Sequence, residues 1–274
     1  MPELPEVEII RRTLIPLTAG KTIADIQVFW PKIIKYPADV TEFIETMKGQ
    51  TIHDIHRRGK FLKFILDEHV LISHLRMEGR YAVCKKEDPI EPHTHIIFRF
   101  IDGTELRYRD VRKFGTMHLY RKGEEEARLP LSQLGPEPFS ETFTANFLAQ
   151  RLRKTNRTIK TALLDQTVVV GLGNIYVDES LFRAGIHPER ISSSLTDEEV
   201  ARLHREMVTI LQEAIEKGGS TVRSYVNTNG EAGTFQLQLF VYGRKGEPCQ
   251  RCGQPIQKTV VAGRGTHYCA FCQH

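Results

Sequence analysis

The chain has 274 residues, of which 40% are hydrophobic and 26% charged, with a formal net charge of +4 at pH 7. This composition excludes a disordered chain and is typical of about two or three packed domains. No apolar run approaches the roughly 18 residues of a membrane-spanning helix, and a signal-peptide pattern is missing, so we expect a cytoplasmic protein with reduced or metal-bound cysteines.

The first residues, MPELPEVE, place Pro2 directly behind Met1. Removal of Met1 would leave Pro2 with a free secondary amine, which is a potential nucleophile; a disordered tail or a proline that starts a helix is the alternative. Pro5 suits the first turn of a helix, and apolar residues at helical spacing predict that this helix continues until Gly20.

Short β-rich runs follow the helix, among them KTIADIQVFW, GKFLKFILD, HVLISHL and GRYAVC. HTHIIFRF and TELRYRD flank the pair Asp102-Gly103, which is a strong hairpin signal. The pattern predicts a β-sandwich or barrel, with Cys84 as a buried free thiol. Residues 123–139 are rich in Pro, Gly and Glu and are predicted to form a linker.

The next block is predicted to be helical, with helices in SETFTANFLAQRLRK, in TIKTALLDQ and from Asn174. A fourth helix opens with a capping box, Thr196 and Glu199, and stops at Gly218 and Gly219. The glycine turn before Asn174 either holds a phosphate at the helix N-terminus or simply connects two helices. Residues 217–237 form either a surface loop or a functional lid.

The strongest local signal is a C-x2-C-x16-C-x2-C pattern. Two thiolate pairs on tight turns, joined by a hairpin, suit a tetrahedral Zn²⁺ with no position open for water. We therefore predict one structural zinc ion, with two disulfides or bound iron as the alternatives. The ligands are Cys249, Cys252, Cys269 and Cys272.

Positive charge is concentrated at the C-terminal end, because residues 237–274 carry a net +4 while the rest of the chain is balanced. Smaller basic runs occur at 56–63 and 151–160. Each run alone is typical of a solvated face, but together they indicate a polyanionic partner, DNA or RNA.

Five motifs carry a family resemblance: MPELPEVE, LRMEGR (75–80), RDVRKFG (109–115), GLGNIYVDESLFRAGIHP (171–188) and the four-cysteine hairpin with GRG at 263–265. In this order, from Met1 to the last cysteine, they resemble bacterial formamidopyrimidine-DNA glycosylase. The related endonuclease VIII type, which prefers oxidised pyrimidines, usually has glycine where this chain has Leu4.

The resemblance implies an α+β fold. Its parts would be an N-terminal helix and β-sandwich catalytic domain (1–134), a helix-two-turn-helix DNA-binding domain (135–222), a lesion-recognition loop and connector (223–236) and a β-hairpin zinc finger (237–274).

The resemblance also implies a bifunctional glycosylase and AP lyase that excises oxidised purines through a Schiff base on Pro2 and then cleaves the strand by β,δ-elimination. Glu3 would be the acid/base and Glu6 would support the site electrostatically. Lys60 and Arg264 would assist elimination by contacting phosphates. An α-amino group has a pKa near 8, so part of a Pro2 amine is neutral and ready to attack.

Base flipping leaves a hole in the DNA stack. The resemblance implies that this hole is filled by Met77, Arg112 and Phe114. Other DNA contacts implied in the same way are His74, His93, Asn156 and Asn174. Lesion recognition would involve Glu78, Ser220, Arg223 and Tyr225.

We therefore expect a monomeric bacterial enzyme acting on double-stranded DNA that contains an oxidised purine opposite cytosine, in the cytoplasm at the nucleoid. The alternatives are an oxidised-pyrimidine glycosylase and a non-enzymatic, zinc-dependent nucleic-acid-binding protein.

Overall fold

The structure is a computed structural model that describes residues 1–220 and 234–274. The described chain forms two compact units, Met1–Ser132 and Gln133–Ser220 with Thr234–His274. Arg223, Tyr225 and most of the predicted 223–236 segment lie outside the described residues. Among the helices that the structure describes, none combines the length and apolarity needed to cross a bilayer.

The first unit opens with helix α1 (Leu4–Thr18) and contains two sheets. The four-stranded sheet has the order β1-β7-β8-β6, and the five-stranded sheet has the order β2-β9-β5-β4-β3. The bounds of these strands are β1 Ile23–Val28, β2 Ile34–Tyr36, β3 Asp54–Arg58, β4 Phe61–Ile65, β5 His69–His74, β6 Arg80–Lys85, β7 Thr94–Phe100, β8 Thr104–Arg109 and β9 Thr116–Arg121. All pairs are antiparallel except β2 with β9.

Both sheets and α1 contribute to a single hydrophobic core. Phe98 and Leu106 come from the four-stranded sheet, Phe64 and Leu71 from the five-stranded sheet, and Val7 from α1. Burial of such side chains contributes roughly 1.5–3 kcal/mol each, so the core holds the two sheets face to face and fixes the start of α1 on them. The predicted N-terminal helix and β-sandwich are confirmed.

Two features of this unit differ from the sequence prediction. A short helix, α2 (Val40–Met47), stands among the strands, where Asp39 caps it by accepting the backbone N–H of Thr41 at 2.8 Å. Cys84, predicted to be buried, is only half-buried because β6 is the edge strand of its sheet.

The second unit contains helices α3 (Ala145–Leu152), α4 (Ile159–Leu164), α5 (Asn174–Ala184) and α6 (Asp197–Glu216), and the hairpin β10 (Gln257–Val261) and β11 (Arg264–Tyr268). Threonine caps start three of the helices; one of them, Thr196, forms the predicted capping box with Glu199. Helix α5 ends at Gly185, whose φ of 70° is left-handed. The helical and zinc-finger parts of the fold are confirmed.

Candidate active site and nucleic-acid contacts

The amino terminus is built into the first turn of α1. Glu3 is the N-cap residue, and its backbone N–H donates to Glu6 Oε2 at 2.8 Å, while the Glu3 side chain accepts from the backbone of Glu6. Pro2 is buried, and Glu3 and Glu6 are only 3% and 5% exposed. The capping box thus holds two carboxylates beside the first residues of the chain.

Charged groups from two other segments act on this end of the chain. Burial lowers the pKa of the Met1 amine below its usual value of 8.0, Lys60 lowers it further, and Glu3, Glu6 and Glu78 oppose the shift. Lys60 lies in the β3–β4 turn and is 6% exposed. Residues of three motifs, Glu3 with Glu6, Lys60 and Glu78, therefore act electrostatically on the first residue of the chain, next to Pro2.

His74, at the end of β5, is a neutral side chain. Burial, together with Arg76 and Lys60, lowers its pKa to about 3. Its Nδ1 accepts the backbone N–H of Arg76 at 2.9 Å, so the neutral ring carries its proton on Nε2. Any contact that His74 makes with a phosphate is a neutral hydrogen bond, not an ion pair.

Met77 and Glu78 lie in the turn between β5 and β6, here called the 75–79 turn. Met77 is half-buried and Glu78 is exposed. Met77 does not belong to the sandwich core described above, so its apolar side chain stands at the edge of the unit.

Arg112 and Phe114 lie in the loop between β8 and β9, here called the 110–115 loop. Its anchor is Asp110, which is fully buried and accepts the backbone N–H groups of Arg112 (3.0 Å), Phe114 (2.9 Å) and Gly115 (2.8 Å). With the backbone fixed in this way, the side chains point outward: Phe114 is 51% exposed. The Arg112 guanidinium lies 4.7 Å from the centre of the Phe114 ring, a cation–π contact.

His93 precedes β7 and is connected to the same loop. It is exposed, it adopts a left-handed φ of 66°, and its carbonyl accepts the Asp110 N–H at 3.0 Å. Asp110 thus links His93 and the 110–115 loop. Asp110 lies within the motif RDVRKFG, but no role was predicted for it, because an acid among these basic residues looks like one member of a solvated charge cluster.

In the second unit, Asn174 begins α5 and contacts the zinc hairpin. Its Nδ2 donates to the Gly265 carbonyl at 2.8 Å, and its Oδ1 is buried without a hydrogen-bond partner among the described residues. The adjacent Arg264 is exposed at the start of β11. The structure thus brings Asn174 and the Arg264 strand together.

Lys160 strengthens the same connection. Its ammonium donates to Asp178 Oδ1 at 2.7 Å and to the Gly265 carbonyl at 3.1 Å, and the Lys160 and Asp178 side chains are fully buried. The sequence placed Lys160 in a basic run with a solvated face, which is wrong for this residue, because nothing local signals a buried carboxylate 18 positions later.

The two remaining predicted contacts of this unit lie elsewhere in it. Asn156 is exposed between α3 and α4, where its Oδ1 accepts the Ser193 hydroxyl at 2.9 Å. Ser220 is 5% exposed and follows α6.

The four predicted zinc ligands form a cluster. Their Sγ atoms all lie within 4.8 Å of one another, with Cys252–Cys269 at 3.5 Å and Cys249–Cys272 at 3.9 Å. Tetrahedral Zn²⁺ with bonds of about 2.3 Å needs sulfur separations of about 3.8 Å, so the donor set fits zinc. Although burial opposes the shift, hydrogen bonds from backbone N–H groups lower the Cys249 pKa to about 7, which favours the thiolate that binds metal.

The cluster is fixed to the helical part of its unit. Its core includes Phe182 of α5 with Cys249 and Cys269. Beyond Cys272, the His274 N–H donates to the Gly185 carbonyl at 3.1 Å, and the His274 carbonyl accepts the His187 N–H at 2.9 Å. All four ligands are sulfur, so the zinc ion is structural.

A sandwich that buries Pro2, a helical part and a four-cysteine hairpin together define a class of zinc-finger DNA glycosylases, and three family models match along the chain. They are the formamidopyrimidine-DNA glycosylase N-terminal domain (residues 1–117), the formamidopyrimidine-DNA glycosylase H2TH domain (134–226) and the zinc finger found in FPG and IleRS (246–274).

Full-length relatives agree with this assignment. Formamidopyrimidine-DNA glycosylase of Geobacillus kaustophilus is 66% identical over 273 residues, covering 100% of both chains, and that of Bacillus subtilis is 62% identical, covering 100% of this chain and 99% of the relative. A Lactococcus lactis glycosylase variant solved with a Fapy-dG containing DNA superposes with a TM-score of 0.94 at 43% identity over 100% of both chains. Another Lactococcus lactis structure, with abasic-site DNA, gives a TM-score of 0.93 at 44% identity over 99% of both chains. The chain belongs to the formamidopyrimidine-DNA glycosylase family.

Proposed function

We propose that the protein excises oxidised purines, namely 8-oxoguanine and formamidopyrimidines, from double-stranded DNA and then cleaves the strand. The observation that carries the proposal is the buried Pro2 beside the buried Glu3, Glu6 and Lys60, which together with Glu78 act electrostatically on the residue before it. The Lactococcus lactis complexes with Fapy-dG and abasic-site DNA support the choice of substrate.

The proposed nucleophile is Pro2 after removal of Met1. Its amine attacks sugar C1′ while the bond from C1′ to the base breaks, and the departing base takes up a proton in place of the one that the amine loses. Glu3 then protonates O4′ as the C1′–O4′ bond opens, which leaves an iminium between the proline nitrogen and C1′. Because the amine is secondary, the resulting iminium stays cationic without added proton. The iminium accepts the electron pair of the C2′–H bond when that proton leaves, and the C3′–O bond to phosphate then breaks; this β-elimination cleaves the strand. A second elimination, with loss of a C4′ proton, breaks the C5′–O bond and releases the sugar from the 5′ phosphate.

Phosphate contacts from Lys60 and Arg264 would assist the two eliminations, and Glu6 would stabilise the site electrostatically. His74, His93, Asn156 and Asn174 would hold the DNA backbone. These roles follow the family pattern residue by residue.

Met77, Arg112 and Phe114 would fill the hole left by the flipped nucleotide. Exposure of Phe114 and the cation–π contact with Arg112 suit stacking and hydrogen bonding to the orphaned base, which we propose to be cytosine. Glu78, Ser220, Arg223 and Tyr225 would recognise the lesion, the last two from the 223–236 segment.

We further propose that the enzyme acts as a monomer at the bacterial nucleoid. Its proposed domains are the catalytic domain (1–134), the DNA-binding domain (135–222), the lesion-recognition loop and connector (223–236) and the zinc finger (237–274).

Borohydride trapping tests the proposal, because it reduces an iminium to a stable covalent adduct. A duplex with 8-oxoguanine opposite cytosine should trap the protein, and a variant with residues added ahead of Pro2, whose amine is an amide, should not trap. Binding without trapping would favour the non-enzymatic zinc protein. Faster trapping on an oxidised pyrimidine would favour the endonuclease VIII type.

A further inference from the structure

The 75–79 turn and the 110–115 loop meet at one side chain, Tyr108 of β8. A Cβ built on Gly79 would lie 2.2 Å from the Tyr108 hydroxyl oxygen, and a Cβ built on Gly115 would lie 1.8 Å from it. No side chain fits at either distance, so both glycines bring their backbone directly against the hydroxyl group. Both segments are therefore in close contact with the same oxygen atom.

Tyr108 itself is held in place. It is fully buried in the sandwich core, and its ring packs edge-to-face on Tyr81 at 5.1 Å between centroids. Tyr81 is in turn fixed by a hydrogen bond from its hydroxyl to Ser73 Oγ at 2.7 Å. The hydroxyl of Tyr108 is thus a rigid point at the edge of the core.

The residues proposed to fill the hole in the DNA stack are divided between the two segments. Met77 lies in the 75–79 turn, and Arg112 and Phe114 lie in the 110–115 loop, whose own backbone is fixed by Asp110. Among the described residues, Asp110 makes no hydrogen bond to the 75–79 turn. The position of the 75–79 turn relative to the 110–115 loop must therefore depend on a contact that both segments share.

We propose that Tyr108 is a positioning residue that couples the 75–79 turn to the 110–115 loop, so that Met77 and the Arg112–Phe114 pair enter the DNA as one unit. This inference rests on the proposed filling role of the three residues. Tyr108 touches no substrate in this scheme; its hydroxyl fixes a spacing, and removing the oxygen leaves each segment free to shift separately.

The chain contains a built-in reporter of the loop. Trp30 is the single tryptophan, and the ammonium of Lys113 lies 4.1 Å from the centre of its ring. Because a cation against the indole alters its emission and its access to a quencher, Trp30 fluorescence follows the 110–115 loop in the free protein. This readout needs neither DNA nor catalysis.

The experiment compares Gly79→Ala in two backgrounds. The new methyl group meets the Leu75 carbonyl at 2.6 Å as well as the hydroxyl, so it displaces the turn whether or not the hydroxyl is present. In the otherwise unchanged protein, Trp30 emission and acrylamide quenching should change. In the Tyr108→Phe background, adding Gly79→Ala should cause no further change in Trp30 emission or acrylamide quenching. An equal response in both backgrounds would overturn the coupling.

Gly115→Ala is the matched control, because its methyl group lies 2.8 Å from Tyr108 Cζ and disturbs the loop directly, with or without the hydroxyl. It should change Trp30 in both backgrounds. Circular dichroism shows whether Gly79→Ala folds. If it does not fold, Tyr108→Phe alone tests the proposal: its Trp30 quenching should be higher than in the unmodified protein, and an unchanged value contradicts the proposal.

Activity gives the second readout. Tyr108→Phe should lower kcat/KM on an 8-oxoguanine duplex about tenfold, the scale of a small misplacement, with unchanged binding to undamaged duplex and an unchanged melting temperature. Wild-type kcat/KM in this variant would refute the positioning role. If the unmodified protein does not excise 8-oxoguanine at all, the proposed function is refuted. The Trp30 comparison needs no excision and would still test the coupling of the two segments.

Discussion

The ammonium of Lys160 lies 2.7 Å from the carboxylate of Asp178, and neither side chain is exposed to solvent. The second oxygen of Asp178 accepts the backbone N–H of His267 at 2.8 Å, and Lys160 also donates to Gly265. One buried ion pair thus holds α4, α5 and β11 together, and with them the strand that begins with Arg264.

Lys160→Met should lower the free energy of unfolding by about 3–5 kcal/mol, because it leaves the Asp178 charge buried without its partner. Urea denaturation measures the change. The exposed pair Arg153–Asp197 in the same unit is the matched control, since Arg153→Met should cost less than about 1 kcal/mol. Equal losses in the two variants would contradict the structural role of the buried pair.

Cys249→Ser should lose zinc and DNA binding, because the hairpin is too small to hold its shape without the ion. Zinc content by atomic absorption and binding by fluorescence anisotropy test this, and circular dichroism should show that the rest of the chain stays folded. Cys84→Ser serves as the control, since Cys84 lies on β6 outside the cluster. Full zinc occupancy with intact DNA binding in Cys249→Ser would refute the assignment.

Glu3→Gln separates base removal from strand cleavage. The amide is nearly isosteric but delivers no proton, so excision of 8-oxoguanine should fall by about 10²–10⁴-fold, the usual contribution of general acid catalysis. Nicking and borohydride trapping at an abasic site, which need chiefly the Pro2 amine, should remain measurable. Parallel loss of both activities would show that Glu3 is required for the amine chemistry itself.

His74 should make the first unit sensitive to acid. Its pKa is about 3 in the folded protein, against 6.5 for a free imidazole, so below about pH 6.5 the unfolded chain binds a proton that the folded chain does not. The free energy of unfolding should therefore fall as pH decreases from 6.5 towards 3, by up to about 1.4 kcal/mol per pH unit. His74→Gln should show a shallower fall in urea denaturation over this range; an unchanged slope would mean that His74 titrates normally.

Much of this architecture could be predicted, because its signals are local. The threonine caps, the Asp102-Gly103 hairpin and the cysteine spacing each depend on a few neighbouring residues. Helix α2 was not predicted, because its apolar residues at helical spacing, Val40, Phe43, Ile44 and Met47, span only eight residues between strand-like runs.

The parts of the site that could not be predicted depend on distant partners. Lys160 looks like a solvated lysine until Asp178 is placed beside it, and Asp110 looks like a surface acid until three N–H groups surround it. Gly79 and Gly115 both bring their backbone against the Tyr108 hydroxyl, a shared contact that no local sequence pattern indicates. The sequence reports residue types, whereas these roles arise from pairs of residues brought together by folding.

The bonds made by His274 have a practical consequence for producing the protein. The His274 backbone is hydrogen-bonded to Gly185 and His187. His274 lies two residues beyond Cys272, the last zinc ligand, so a carboxy-terminal affinity tag would disturb the edge of the metal cluster. An amino-terminal tag would convert the Pro2 amine into an amide. The suitable expression design is therefore a cleavable amino-terminal fusion whose removal leaves Pro2 as the first residue.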